Sequence, residues 1–412
     1  RSNSTAKGGW NQNVFDVTNV QLYFKGQVTP LFQFYCELEA SNADDYLTID
    51  DAGINLAFAK EFQVTAGELR KPFSRVLLAS SYAYLIPKGF WFDPQKALGP
   101  IRTPWDPKKN NKDSGLMVRG DLADGMFRYK VGIFNENRDL NKKLWANGWV
   151  EKDKNFMIGT TRYTYTQTPG TKANDLKNFE WNARIEFTPT MLGFKPESAA
   201  TISPTLPETY LGSKDVFTIG LAYHTATHTP KATVVDPIGN QYYLGDLKRK
   251  GWTVDAMFEK KFGDLVPNLQ IGYISLQDTH YYIKAQWDNT LKNWKMSNVK
   301  KGDTDIWYVA GQLLFDQCVG LGKPAIAFRY EKYNGDGHYY DTKTNFYKKD
   351  LTADNISLAF NYYIKGQAAR ISVGFDYTKY RDALKYYLKY GDPKTKYEDS
   401  ITDWYLYFQS MF

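Results

Sequence analysis

Along most of the chain, apolar and polar residues alternate one for one. Val20, Leu22, Phe24 and Val28 interleave with Gln21, Tyr23, Lys25 and Gln27, and Phe32, Phe34, Cys36, Leu38 and Ala40 interleave with Gln33, Tyr35, Glu37 and Glu39. The same rhythm runs through Phe127–Ile133, Phe179–Phe187 and Ile371–Tyr377. Successive side chains of a strand point to opposite faces, so period two predicts strands with one apolar and one polar face. Helical spacing fits none of these runs. Strands are predicted over 14–28, 31–41, 47–60, 63–74, 114–122, 126–137, 178–188, 215–227, 251–262, 267–279, 304–315, 324–333, 350–364, 368–380 and 398–412. The last carries Trp404, Leu406, Phe408 and Phe412 on one side and Asp403, Tyr405, Tyr407 and Gln409 on the other.

A chain that ends on an aromatic residue after an amphipathic strand is similar to the bacterial outer-membrane β-barrels. The connections have the matching asymmetry. Thr29-Pro30, Glu61-Phe62, Ala123-Asp124-Gly125 and Lys365-Gly366-Gln367 are short, whereas 75–113, 138–177, 228–250, 280–303, 334–349 and 381–397 are long and polar. Outer-membrane barrels have short periplasmic turns and longer extracellular loops. Residues 189–214 are the exception, long where a turn is due. The fifteen predicted strands are odd in number, yet single-chain bacterial barrels have even counts. With Phe412 in the periplasm, one strand is due before 14–28: it lies upstream of Arg1, or a strand near Met157–Tyr165 has been passed over. Sixteen is the expected number, in a single barrel over residues 1–412. The absence of a signal sequence and the non-initiator Arg1 suggest a processed or trimmed product.

Within this frame, Gly67-Glu68-Leu69-Arg70-Lys71-Pro72-Phe73-Ser74 resembles the strand end that precedes the third loop of the phosphate-selective porins O and P. The hairpin at Val20–Gly26 resembles the same family, as do Asp113–Gly120 and Gly132-Ile133-Phe134-Asn135. These matches fall in the family's order over the first third of the chain. The resemblance implies an all-β, transmembrane antiparallel barrel of sixteen strands, assembled as a homotrimer. It also implies an inward-folded third loop whose Arg and Lys side chains guide anions, here residues 75–113. The family's phosphate-contacting residues cannot be matched one by one, so strict phosphate specificity does not carry over.

Charge adds to this picture. The chain carries a net +7, and residues 75–113 hold Arg75, Lys88, Lys96, Arg102, Lys108, Lys109 and Lys112 against Asp93, Asp106 and Asp113, a surplus of four. A ring of Arg and Lys lowers the barrier for anions and raises it for cations. A polar, lysine-bearing loop is equally what a solvated surface would use, but Trp91, Phe92 and Trp105 favour a packed one. Alternation further puts Lys25, Arg70, Arg119, Arg128, Lys130, Arg184, Arg329 and Arg370 on the inner wall. Glu37, Glu39, Asp51, Glu68, Asp121, Glu186, Asp255, Glu259 and Asp376 are assigned to the same side, so the selectivity is expected to be mild. Arg70, Arg119 and Arg128 flank the loop or the next hairpin and are the best wall candidates. Trp252, Tyr273, Trp307, Tyr330, Tyr362, Tyr363 and Trp404, near strand ends, read as an interfacial girdle. Tyr23, Tyr35, Tyr405 and Tyr407 face inward, where aromatic rings would serve a sugar-conducting porin.

Other chemistry finds little support. His224 and His228 lie about 13 Å apart if on one strand. Asn334-Gly335-Asp336-Gly337-His338 with Asp341 could bind Ca²⁺ but reads as turn chemistry. Two cysteines, Cys36 and Cys318, suggest neither a disulfide framework nor a metal site. No nucleophile elbow, phosphate-binding loop or dinucleotide fingerprint is present, so no enzyme and no cofactor are expected. No stretch reaches the ~18 apolar residues of a transmembrane helix. The expected partners are the lipid bilayer with its lipopolysaccharide, small anionic solutes such as phosphate, and further copies of the chain, with no nucleic acid. A general or sugar-conducting porin, a structural or partner-binding outer-membrane barrel and a soluble multi-sheet protein are the alternatives.

Overall fold

Apolar side chains turn outward along the long strands, and the inward rows hold most of the buried polar ones. The computed structural model describes residues 15, 17, 19–41, 48–90, 112–135, 144–150, 154–167, 179–197, 205–228, 232–341, 346–387 and 399–411. From Asn19 the chain runs up and down as β1 (Asn19–Gln27), β2 (Phe32–Ser41), β3 (Thr48–Ala59), β4 (Phe62–Arg70), β5 (Lys112–Leu122) and β6 (Phe127–Asn135). The short strands β7 (Leu144–Trp145), β8 (Trp149–Val150), β9 (Lys154–Ile158) and β10 (Thr161–Gln167) follow, then β11 (Phe179–Phe187) and β12 (Val216–His228). Two more short strands, β13 (Ala232–Val235) and β14 (Gln241–Tyr243), precede β15 (Leu247–Glu259), β16 (Leu265–Asp288) and β17 (Asn293–Phe315). The chain closes with β18 (Lys323–Asp341), β19 (Phe346–Tyr363), β20 (Ala369–Arg381) and β21 (Ser400–Ser410).

Fifteen of these strands, all except β7–β10, β13 and β14, form one antiparallel sheet in which each pairs with the next long strand. The sheet curls until its two ends approach one another. Gln21 on β1 accepts from the Ser81 hydroxyl at 3.3 Å, and Gln409 on β21 donates to the carbonyl of the adjacent Tyr82 at 2.9 Å. The expected place of a sixteenth strand, upstream of Arg1, lies outside the described residues. Met157–Tyr165 does not supply it. Those residues form β9 and β10, which join β13 and β14 in a separate four-stranded sheet.

The outer surface has a composition that water would not tolerate over a continuous band. Trp404, Leu406 and Phe408 are 76%, 60% and 67% exposed, and Ile326, Phe328, Leu358 and Phe360 continue the row on neighbouring strands. On the inner face Ser357, Asn361 and Ser372 are buried and bonded to one another or to Asn355 and Gln312. Trp252 packs on Tyr273 at 5.2 Å and Trp307 on Tyr330 at 4.9 Å, forming part of the aromatic girdle. Tyr363 is not part of it. It points inward, is buried, and donates to Gln312 at 2.8 Å. Glu68 is also placed differently from the sequence reading: it shares the outward row of Phe62 and Val64 and accepts from Ser114 at 2.9 Å.

Four strands outrun the membrane. β16 has 24 residues and β17 has 23, roughly 75 Å of chain against an apolar band of about 25 Å. Their upper halves occupy most of 280–303, expected as loop, and β18 and β19 likewise occupy 334–341 and 346–349. The Asn334–His338 run is therefore strand with a bulge between Gly335 and His338, not a turn. Outside the membrane, Leu144, Ile158, Tyr163, Tyr165, Val234, Tyr281, Ile283 and Tyr340 bury one another in a separate apolar core.

An arginine placed at Leu358, between outward Phe328 and Phe375, is expected to cost about 2–4 kcal/mol, the penalty for a charge on the lipid face. Urea titration of the protein folded into vesicles measures it. A loss near zero would remove this row from the lipid-facing surface.

Candidate functional site: the interior constriction

The chain leaving β4 turns into the interior instead of continuing upward. Val76, Leu77, Leu78, Leu85, Ile86 and Phe90 are too apolar for a water-filled extracellular loop, and all are buried. The wall opposite them is built from small inward residues. Ala222 and Ala310 pack in one cluster with Phe73, Val76 and Leu77, and Ala327 and Ala359 pack under Leu85 and Ile86. A single helical turn, α1 (Arg75–Leu78), carries the descent. The segment is tied down across the interior: Asn361 on β19 donates to the Leu85 carbonyl at 2.9 Å, Arg370 on β20 donates to the Tyr84 carbonyl, and Phe90 packs edge-on against Tyr308 of β17 at 4.9 Å. The expected third loop thus folds inward over residues 75–90.

The basic residues singled out from sequence fall into three groups. Lys96, Arg102, Lys108 and Lys109 lie outside the described residues. Arg70, Arg75, Lys112, Arg119 and Arg128 are buried. Arg70 lies 3.1 Å from Asp51, 3.4 Å from Asp50 and 3.9 Å from Glu37, and Lys112 pairs with the same Asp50. Lys88 keeps a partly open side chain, 3.1 Å from Asp403 and 3.6 Å from Asp376.

Arg75 and Arg128 belong to the densest ionic cluster, at the periplasmic end of β6, β11 and β15. Arg75 makes a two-pronged pair with Glu197 at 2.6 and 2.7 Å, and Arg128 reaches Glu186 at 2.6 Å and Glu197 at 3.6 Å. Arg184 joins Glu186 at 2.8 Å to Asp255 at 2.6 Å and donates to the Phe73 carbonyl at 2.9 Å, fixing where the loop enters. Gly220 makes room for this guanidinium: a Cβ there would lie 2.1 Å from Arg184 Nη2. A second cluster joins Lys71 to Glu180 at 2.6 Å, with His224 3.1 Å away from Glu180. His224 is therefore a wall residue between Glu180 and Asn182, not a ligand paired with His228.

Glu197 and Glu208 were not singled out from sequence. Both lie on the 188–215 connection, whose only signal was its length where a short turn was due. Burial pushes the Glu197 carboxyl up, but the Arg75 charge and hydrogen bonds, with Arg128 behind them, outweigh it and hold the group at about 2. Its folded value lies below the ordinary carboxylate value, so the pair's stabilisation is complete above about pH 4.5 and fades as pH falls towards about 2. Arg75→Met should cost about 3–5 kcal/mol, because it leaves a buried carboxylate without its main partner. Thermal unfolding of folded protein from pH 7 to pH 2 checks both points. The penalty should be largest at neutral pH and shrink below pH 4.

Several known proteins are similar to this chain. The sequence profile of the phosphate-selective porin O and P family matches residues 4–196. An uncharacterised protein of Aquifex aeolicus (strain VF5) is 26% identical over 314 residues, covering 75% of this chain. The chain spans 58% of that relative's length. Among solved structures, the anion-selective porin from Comamonas acidovorans aligns with 92% of this chain and 80% of its own at 12% identity and a TM-score of 0.43. The Salmonella typhi OmpF complex with daunomycin aligns with 95% of this chain and 90% of its own at 16% identity and a TM-score of 0.47. With its inside-out sheet and inward third loop, the chain is a bacterial outer-membrane β-barrel, and its residues 4–196 match the phosphate-selective porin O and P family.

Proposed function

We propose that the whole chain forms one diffusion channel for small hydrophilic solutes that favours anions, phosphate-type oxyanions among them, with mild rather than strict selection. The observation that carries this reading is the position of residues 75–90, hydrogen-bonded across the interior to β19, β20 and β21. Every permeating solute then has to pass that segment. The surplus of four positive charges over 75–113 supports a preference for anions, and so does the family profile over residues 4–196. Lys88 adds a partly open ammonium beside the path, and Lys96, Arg102, Lys108 and Lys109 follow it in the same loop. Passive diffusion requires no cofactor and no bond-making chemistry. Homotrimeric assembly and contact with lipopolysaccharide belong to the same proposal.

One observation favours a second reading, a general porin with little charge preference. Among the described residues, buried Asp and Glu number thirteen against eleven buried Arg and Lys, so the inner wall adds no positive field of its own. Whatever anion preference exists then rests on the loop, not on Arg70, Arg119 or Arg128. Single-channel reversal potentials under a KCl gradient separate the two readings. The wild type should be anion-selective, and Lys108→Glu with Lys109→Glu should weaken or invert the sign while leaving conductance within about twofold. A wild-type reversal potential near zero, unchanged in the variant, would favour the general porin.

A further inference from the structure

The 188–215 connection leaves β11 on the periplasmic side, where every other described connection in the barrel wall runs over seven residues or fewer. Instead of crossing the rim, it enters the interior from below and meets residues 75–90 coming from above. The two segments join by main chain and by charge. The Ser80 amide donates to the Leu206 carbonyl at 3.1 Å and the Leu206 amide to the Leu78 carbonyl at 2.8 Å, a two-bond parallel bridge. Beside it lies the Arg75–Glu197 pair, and Arg75 Nη2 also donates to the Pro207 carbonyl at 2.8 Å. Further along, the Leu85 amide donates to Glu208 at 2.7 Å.

The opposite side of the insertion is also bonded to the wall. Asn268 and Gln270 of β16 donate to the Glu208 carbonyl at 2.8 and 2.7 Å. Glu259, the last residue of β15, accepts from the Thr209 hydroxyl at 2.8 Å and the Gly212 amide at 2.9 Å. Tyr210 donates to Glu197 at 2.8 Å, and Leu211 packs near Val266, Leu314, Ala325 and Tyr363. The insertion therefore packs on the periplasmic end of the β15–β19 wall and bridges it to the third loop, with buried polar groups engaged on both sides. A surface turn that merely drooped inward would leave such groups unmet, which is costly in a buried setting.

We propose that the bore of this channel is set jointly by the third loop and by residues 194–197 and 205–213, making the periplasmic insertion a second size-determining element with Glu197 and Glu208 as its positioning residues. The inference rests on the porin reading and adds to it: the insertion takes up the lumen at the periplasmic end of β15–β19 and supports from below the loop that is seated on the same wall. Solutes then pass on the side of β1–β5, whose inward groups include Gln33, Asn55 and Gln63. The upper size of permeant solute depends on a segment that no extracellular loop exchange would alter.

The test uses planar-bilayer conductance and exclusion by neutral polymers of graded size. It compares the wild type, a variant in which a short turn joins β11 to β12 in place of 188–215, and Glu197→Ala with Glu208→Ala in the full chain. Folding of each is checked by heat-modifiable migration. Conductance about twofold or more above wild type, with a larger polymer cut-off, is expected for the shortened variant, and a smaller rise or unsteady conductance for the double variant. Should the shortened chain fail to fold, the double variant alone decides. A conducting wild type with unchanged conductance and cut-off in the folded variants would overturn the inference and leave the porin reading intact. A silent wild type with conducting variants would support the inference, with the insertion acting as a plug. Silence in all would overturn the porin reading together with the inference.

Discussion

Hydrocarbon offers no hydrogen-bond partner, and the rest of this structure follows from that constraint. A sheet can cross a bilayer only if each strand's backbone groups are met by its neighbours, which requires the sheet to curl upon itself. The near-contact of β1 and β21 around Ser81 and Tyr82 is the local sign of that curl. Because side chains alternate along a strand, sending Trp404, Leu406 and Phe408 to the lipid sends Tyr405, Tyr407 and Gln409 inward. The polar interior is thus a necessary consequence of the apolar exterior. It must then find partners for its own polar groups.

The interior meets that demand by pairing. Arg70, Arg75, Arg128 and Arg184 each lie against one or more carboxylates, and most of these guanidiniums and carboxylates are nearly inaccessible to water. Removing two charges from water costs several kcal/mol per ion, and only good geometry with further hydrogen bonds offsets it. Arg184 meets this condition through Asp255, Glu186 and the Phe73 carbonyl at once. Such residues act as fasteners. A guanidinium held between two carboxylates presents little net field to a passing ion, so counting arginines on an inner wall overstates the anion field. Lys88 differs from them in exposure, its side chain staying about a quarter open, although it too lies between two carboxylates, Asp403 at 3.1 Å and Asp376 at 3.6 Å.

Much of this was legible in the sequence. All fifteen long strands of the wall follow from period two, because a lipid-facing row must be apolar at every second position regardless of what the other row contains. The inward turn of the third loop was foreseen through Gly67–Ser74 and the aromatic residues beyond it. Three features escaped for physical reasons. Tyr281, Ile283 and Ala285 alternate with Tyr282, Lys284 and Gln286, but above the membrane both faces of a strand meet water or protein, so polarity made strand look like loop. Glu68 was assigned to the wrong face because Arg70 was taken as inward by parity, whereas Arg70 bends in only where β4 ends and the chain turns into the interior. The partners of Arg75 could not be read at all. Glu197 is 122 residues away, and only three-dimensional folding brings the two together.

The distribution of small residues explains why the third loop has one seat. Ala222, Ala310, Ala327 and Ala359 stand on four different inward strands at positions where Arg, Glu or Asn occupy neighbouring rows. Each alanine leaves a gap in the polar wall, and Phe73, Val76, Leu77, Leu85 and Ile86 fill those gaps. A loop displaced by one wall row would press leucine side chains against charged pairs and leave the alanine gaps open, losing apolar burial and uncovering ion pairs together. The wall therefore fixes the loop by shape before any hydrogen bond is counted. The bonds from Asn361, Arg370 and Gln409 to the carbonyls of Leu85, Tyr84 and Tyr82 then lock a position that packing has already chosen.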